Sequence, residues 1–110
     1  MMSTVDAAHH AAVVEKFIAL RKNTLRGFAK VRLASGMIVN DVAIHVGGDN
    51  KVWAAPPSKP MLDREGHVLR DPEGKIRYVP MIEFATKEHR DRFSALVVDA
   101  VRETNPESVA

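Results

Sequence analysis

The chain has no cysteine, only four phenylalanines, one tryptophan and one tyrosine, and no long apolar run. Without cysteine there are no disulfides, no thiolate metal sites and no cysteine nucleophile, a composition that fits a reducing cytoplasm. No stretch approaches the roughly 18 apolar residues of a membrane-spanning helix. The stretch "MMSTVDAAHHAAVVEKF" has an acid where a signal peptide needs basic residues and lacks a continuous apolar core, so no leader is expected. Histidine is scattered: adjacent His9 and His10 cannot share a helix face, and His45, His67 and His89 have no acid or second histidine at ligand spacing, so no metal is expected. Ser35, Ser58 and Ser94 lie in no motif that places a base beside them. Asp41 and Glu83 form a carboxylate pair only if the fold joins them. No catalysis, cofactor or small-molecule substrate is expected.

What is present is an ordinary globular composition: 110 residues, 45% apolar and 27% charged. Length gives one domain, expected over 13–104, with a flexible tail at 1–12 and a short tail at 105–110. Net charge is +2, but it is unevenly spread. Lys16, Arg21, Lys22, Arg26, Lys30 and Arg32 precede Asn40 with no acid between, leaving ten basic against fourteen acidic residues elsewhere. A basic lobe on an otherwise acidic domain suits a phosphate-backbone binder, and equally a solvated strand face beside acidic neighbours.

"VVEKFIALRK" fits a helical stripe and a strand equally well, and Asn23-Thr24 is a weak turn signal. "FAKVRLASGMIVNDVAIHV" alternates with a period of two around Ser35-Gly36, which predicts a hairpin. With a two-residue loop, Ala29 faces Val42, Val31 faces Asn40 and Leu33 faces Ile38. On the other face Phe28 meets Ala43, Lys30 meets Asp41 and Arg32 meets Val39. That register gives Lys30 an acidic partner and leaves Arg32 free; a three-residue loop would shift it. "GGDN" turns into a strand "KVWAA" that stops at Pro56. "DREG" and "DPEG" are further turns, bracketing a polar arm read as a loose hairpin. Pro80 confines "YVPMIEF" to a sheet edge or bulge. Thr86 is a good N-cap, Glu88 suits the first turn, and Phe93, Leu96, Val97, Ala100 and Val101 form one stripe of a helix that Asn105-Pro106 ends. The expected class is α+β, an antiparallel sheet with a C-terminal helix packed on it, without internal repeats.

Three segments together, "IVNDV" (Ile38–Val42), "PSK" (Pro57–Lys59) and Pro80-Met81 before a terminal helix, resemble the SpoVG (stage V sporulation protein G, septation regulator) family, over roughly residues 16–102. The arm between Met61 and Tyr78 is longer than in short members, as in a divergent branch. The resemblance implies a small dimeric α+β regulator that binds DNA or RNA, makes "KFIALRK" a strand, and assigns nucleic-acid contacts to Lys87, Arg90 and Arg92 at the helix start. Trp53 is then a core anchor at a corner where Pro56 and Pro57 stop the ladder. Pro57-x-x-Pro60 also matches a polyproline ligand.

Among candidate stackers, Phe28 shares a strand face with Lys30 and Arg32, where it either stacks a base or packs beneath another element. The expected nucleic-acid contacts are Arg21, Lys22, Arg26, Arg32, Lys59, Lys87, Arg90 and Arg92, with little sequence preference. The apolar "YVPMIEF" edge and the resemblance both point to a homodimer. The alternative is a non-catalytic module whose basic face and polar arm meet a protein partner.

Overall fold

A computed structural model of the chain describes residues 12–110. Strands β1 (Val13–Lys22), β2 (Leu25–Arg32), β3 (Ile38–Val46) and β4 (Val52–Ala55) form an antiparallel sheet in sequence order. Strands β5 (Ser58–Pro60) and β6 (Tyr78–Pro80) pair separately as the stem of an arm. Helix α1 (Lys87–Thr104) follows, then a 3-10 helix at Pro106–Val109. The α+β class and the packed C-terminal helix are as expected, and the ambiguous first segment is a strand.

The helix covers one face of the sheet. Ala29, Val31, Val42, Ile44 and Ala54 from the strands meet Phe93, Val97, Val98 and Val101 from the helix. Val31, Val42, Ile44, Val97 and Val101 are fully buried, each worth about 1.5–3 kcal/mol of transfer free energy. Thr86 caps the helix by accepting a hydrogen bond from the His89 amide at 3.2 Å. Ser94 Oγ accepts from Ala54 N–H at 2.9 Å, tying the helix to the outer edge of β4. The segment from 105, expected as a tail, folds back so that Val109 joins the core. The tail expected over 1–12 lies outside the described residues except Ala12, which is buried.

The hairpin register differs from expectation in an instructive way. Leu33 N–H donates to Met37 O at 2.9 Å and Gly36 N–H to Leu33 O at 2.8 Å, so the loop has three residues, with Gly36 at φ 92°. Val31 therefore faces Val39 and Arg32 faces Ile38, one residue off the two-residue prediction. A bulge at Asn40–Asp41, with Asp41 at φ 55°, then restores Phe28↔Ala43 and Ala29↔Val42. Lys30 has no carboxylate partner among the described residues, and Arg32 Nε instead lies 3.3 Å from Glu15 Oε2. Both ion-pair expectations are thus reversed.

Trp53 is not a core anchor. It faces His45 across β3 and β4, with ring centroids 5.1 Å apart, on the face away from the helix. Ala54, not Trp53, points inward, because Ile44 and Val46 set the parity of the neighbouring strand.

The arm does contain an internal repeat. "MLDREGHV" and "LRDPEGKI" share the pattern x-x-Asp-x-Glu-Gly-x-aliphatic. Both turns are built alike. Asp63 Oδ1 accepts from the Glu65 and His67 amides, and Asp71 Oδ1 from those of Glu73 and Lys75, all at 2.9 Å. Gly66 and Gly74 supply the left-handed residue at φ 87° and 86°. Equivalent positions then close a ring of backbone bonds: Met61 N–H to Arg77 O, Arg77 N–H to Leu69 O, and Leu69 N–H to Met61 O. The arm is thus two hairpins closed on a stem, not one loose hairpin.

Because the repeats are equivalent and outside the core, Asp63→Ala and Asp71→Ala should each open one turn locally. Hydrogen exchange of the residue-65/67 and residue-73/75 amides should rise by about five- to thirtyfold, as two bonds of about 1 kcal/mol are lost, while the global urea midpoint changes little. A large and unequal loss of global stability would show that the turns are not independent.

Candidate nucleic-acid interface

The face of the sheet away from the helix is laid out by register. One cross-strand row runs Ile18–Phe28–Ala43–Ala55, and the next along β1 and β2 pairs Lys16 directly with Lys30. Beyond it Val13, Arg32 and Ile38 form a third row, and His45 and Trp53 stack at the opposite end. Phe28, His45 and Trp53 are half-buried, and Lys16, Lys30 and Arg32 are exposed. This face brings cations and flat rings together, as the sequence suggested for Phe28, Lys30 and Arg32. Like charges directly opposite repel, by a few tenths of a kcal/mol up to about 1 kcal/mol. Neither Lys16 nor Lys30 has a carboxylate within ion-pair distance among the described residues.

The other predicted contacts are dispersed. Arg21 and Lys22 end β1, both exposed. Arg26 is held by the neighbouring turn, its Nη1 donating to Asn23 O at 2.7 Å and Leu25 O at 3.1 Å. Lys59 lies exposed on β5, opposite Val79 in the arm stem. At the helix start Lys87 Nζ sits 2.7 Å from Asp91 Oδ2, and this hydrogen bond holds the Asp91 carboxyl below its usual range. Lys87 and Arg90 line a groove beside β4 together with Lys51, whereas Arg92 is exposed elsewhere on the helix. Lys16 and the unpaired state of Lys30 escape a reading of the sequence because they depend on which strand positions face each other, and Lys51 because it depends on where the helix packs.

Two further expectations meet the geometry here. Asp41 and Glu83 line different grooves. Against the expectation that no acid stands near a histidine, the Asp63, Glu65 and His67 ligand atoms lie within 4.8 Å of one another. They sit on an exposed turn where His67 Nδ1 is 3.5 Å from Asp63 Oδ2, and Lys75 occupies the matching place in the second repeat. His9 and His10 lie outside the described residues.

Compared with known proteins, the chain matches no family model, no curated protein and no solved structure. No described helix is long and apolar enough to cross a membrane.

His45 ties this face to the β1–β2 turn. Its Nδ1 lies 2.9 Å from Thr24 Oγ1, and burial, with Arg26 nearby, lowers its pKa below 6.5. A lowered folded pKa means the unfolded chain takes the proton first. This contribution to stability is therefore complete above about pH 6.5 and is lost as pH falls from there through the lowered value, then levels off. Thermal denaturation should show wild type losing more stability between about pH 7 and pH 5 than His45→Gln. Parallel curves for the two proteins would remove His45 as the cause.

Proposed function

We propose that this protein is a small, non-catalytic nucleic-acid-binding regulator that holds a phosphate backbone on the open face of its sheet. The observation that carries the reading is the Lys16–Lys30 pair, two cations directly opposite each other beside Phe28 with no carboxylate partner among the described residues. An arriving phosphate relieves their repulsion, and Arg21 and Lys22 at the strand end extend the positive surface, while Arg32 on the same face is shared with Glu15. Lys51 and Arg90 line a second groove beside β4, where Asp91 pairs with Lys87 and Asp49 also lies, so this patch adds little net charge. Contacts of this kind position a backbone without reading bases, which gives little sequence preference. Membership of the SpoVG family, with its role in septation, a cytoplasmic location and a homodimer, belongs to the same proposal. It is supported by the order of motifs Ile38–Val42, Pro57–Lys59 and Pro80-Met81 on a sheet followed by a helix.

A second reading, a module that binds a protein partner, draws on the arm. Leu62, Val68 and Tyr78 leave apolar surface in water there. It predicts an affinity that barely responds to salt, and a co-purifying protein in place of nucleic acid.

Fluorescence anisotropy with labelled oligonucleotides separates the two. Six phosphate contacts on duplex DNA should give a log–log salt slope of about −5. Lys16→Glu with Lys30→Glu should weaken binding about tenfold or more at low salt and reduce the slope by about 2. If the double variant binds as wild type does, the open face is not the binding surface.

A further inference from the structure

The groove between the open face and the base of the arm has a chemistry that backbone phosphates do not need. It is a cavity of about 660 Å³ with Phe28, Ile38 and Ala43 on the sheet side and Pro57, Tyr78 and Met81 on the arm side. Tyr78 is 57% and Met81 59% exposed, so two large side chains of this groove face water. Two of its residues, Phe28 and Tyr78, are aromatic, in a chain that has six aromatic residues in all. Asn40 and Asp41, the bulged pair of β3, line the same cavity and offer an amide and a carboxylate.

The charges beside the groove identify the occupant. Phe28 and Lys30 are alternate residues of β2, on the same face and about 7 Å apart along the strand. Lys16 stands opposite Lys30, and neither has a carboxylate within ion-pair distance among the described residues. A ligand suited to this site is anionic where it meets the lysines and flat and apolar a few ångströms away, with polar edges for Asn40 and Asp41. A nucleotide has that division of chemistry. We propose that the groove binds an unpaired nucleobase against Phe28 and Tyr78, so that the protein selects single-stranded nucleic acid over duplex. This rests on the nucleic-acid reading above and adds the form of the ligand. A base in a duplex has both faces stacked and its pairing edge occupied, and reaches such a groove only after unstacking. The same chemistry serves DNA and RNA.

The test uses the full chain and labelled probes of about twelve nucleotides: a mixed single strand as DNA and as RNA, its duplex, and an abasic strand that keeps the phosphates. Wild type should bind the single strands at least about tenfold tighter than the abasic strand or the duplex. Tyr78→Ala should lose about five- to a hundredfold on the single strands, while its abasic affinity stays within about twofold, which also shows that the variant is folded. Tyr78→Phe should bind as wild type does, and the better of the DNA and RNA strands assigns the sugar. Salt-sensitive binding with no preference for bases, or Tyr78→Ala binding single strands like wild type, overturns the groove and leaves backbone binding standing. If no probe binds at low salt, both readings fall.

Discussion

Everything on the open face depends on how α1 is seated on the other one. The helix lies close to β4 because small residues meet there: Ala54 points inward, and its amide donates to Ser94 Oγ. With Ala54 inward, alternation forces Trp53 outward, where the ring of His45 receives it. Val42, Val97 and Val101 are fully buried between sheet and helix, close-packed with Ile44 and Phe93. Among the described residues no polar or charged one is buried, so this packing is held by shape and apolar area together with the Ser94 tie. One covered face leaves the opposite face free to carry charge.

What was legible in the sequence was local. Thr86 and the stripe from Phe93 to Val101 announce a helix because capping and a 3.6-residue period involve neighbours in the chain. The strands of the hairpin were legible through alternation, and so was the antiparallel class. The register was not. It turned on whether Gly36 is the second or third residue of its loop, and a glycine supplies left-handed backbone in either setting. Trp53 was misplaced by size alone, because hydrophobicity says that a ring prefers burial but not which side of a strand it occupies.

The arm shows a different failure, one that the sequence did permit reading. "DREG" and "DPEG" each read as a turn, yet their eight-residue spacing and the following aliphatic residue make a repeat. The loop at 33–37 follows the same rule, with Gly36 in the place of Gly66 and Gly74. At 47–51 Asn50 takes that place at φ 64°, and Gly47 N–H donates to Lys51 O. Four connections thus use one three-residue turn. The comparison among them, rather than any one of them, carried the missing register.

That turn also bears on the charges of the open face. A third loop residue moves the near end of β3 by one position against β2, which by itself would turn the inward residues from Val42 onward out to solvent. The bulge at Asn40–Asp41 takes up the extra residue and keeps Val42 and Ile44 in the core. Its cost is that Asp41 leaves the ladder in a left-handed conformation instead of lying flat across from Lys30. In the uninterrupted register the two would have been cross-strand partners and would have neutralised each other. The device that preserves the core register therefore also strips Lys30 of its acid. Lys30 is left facing only Lys16, and the open face keeps a positive charge that the interior packing does not need.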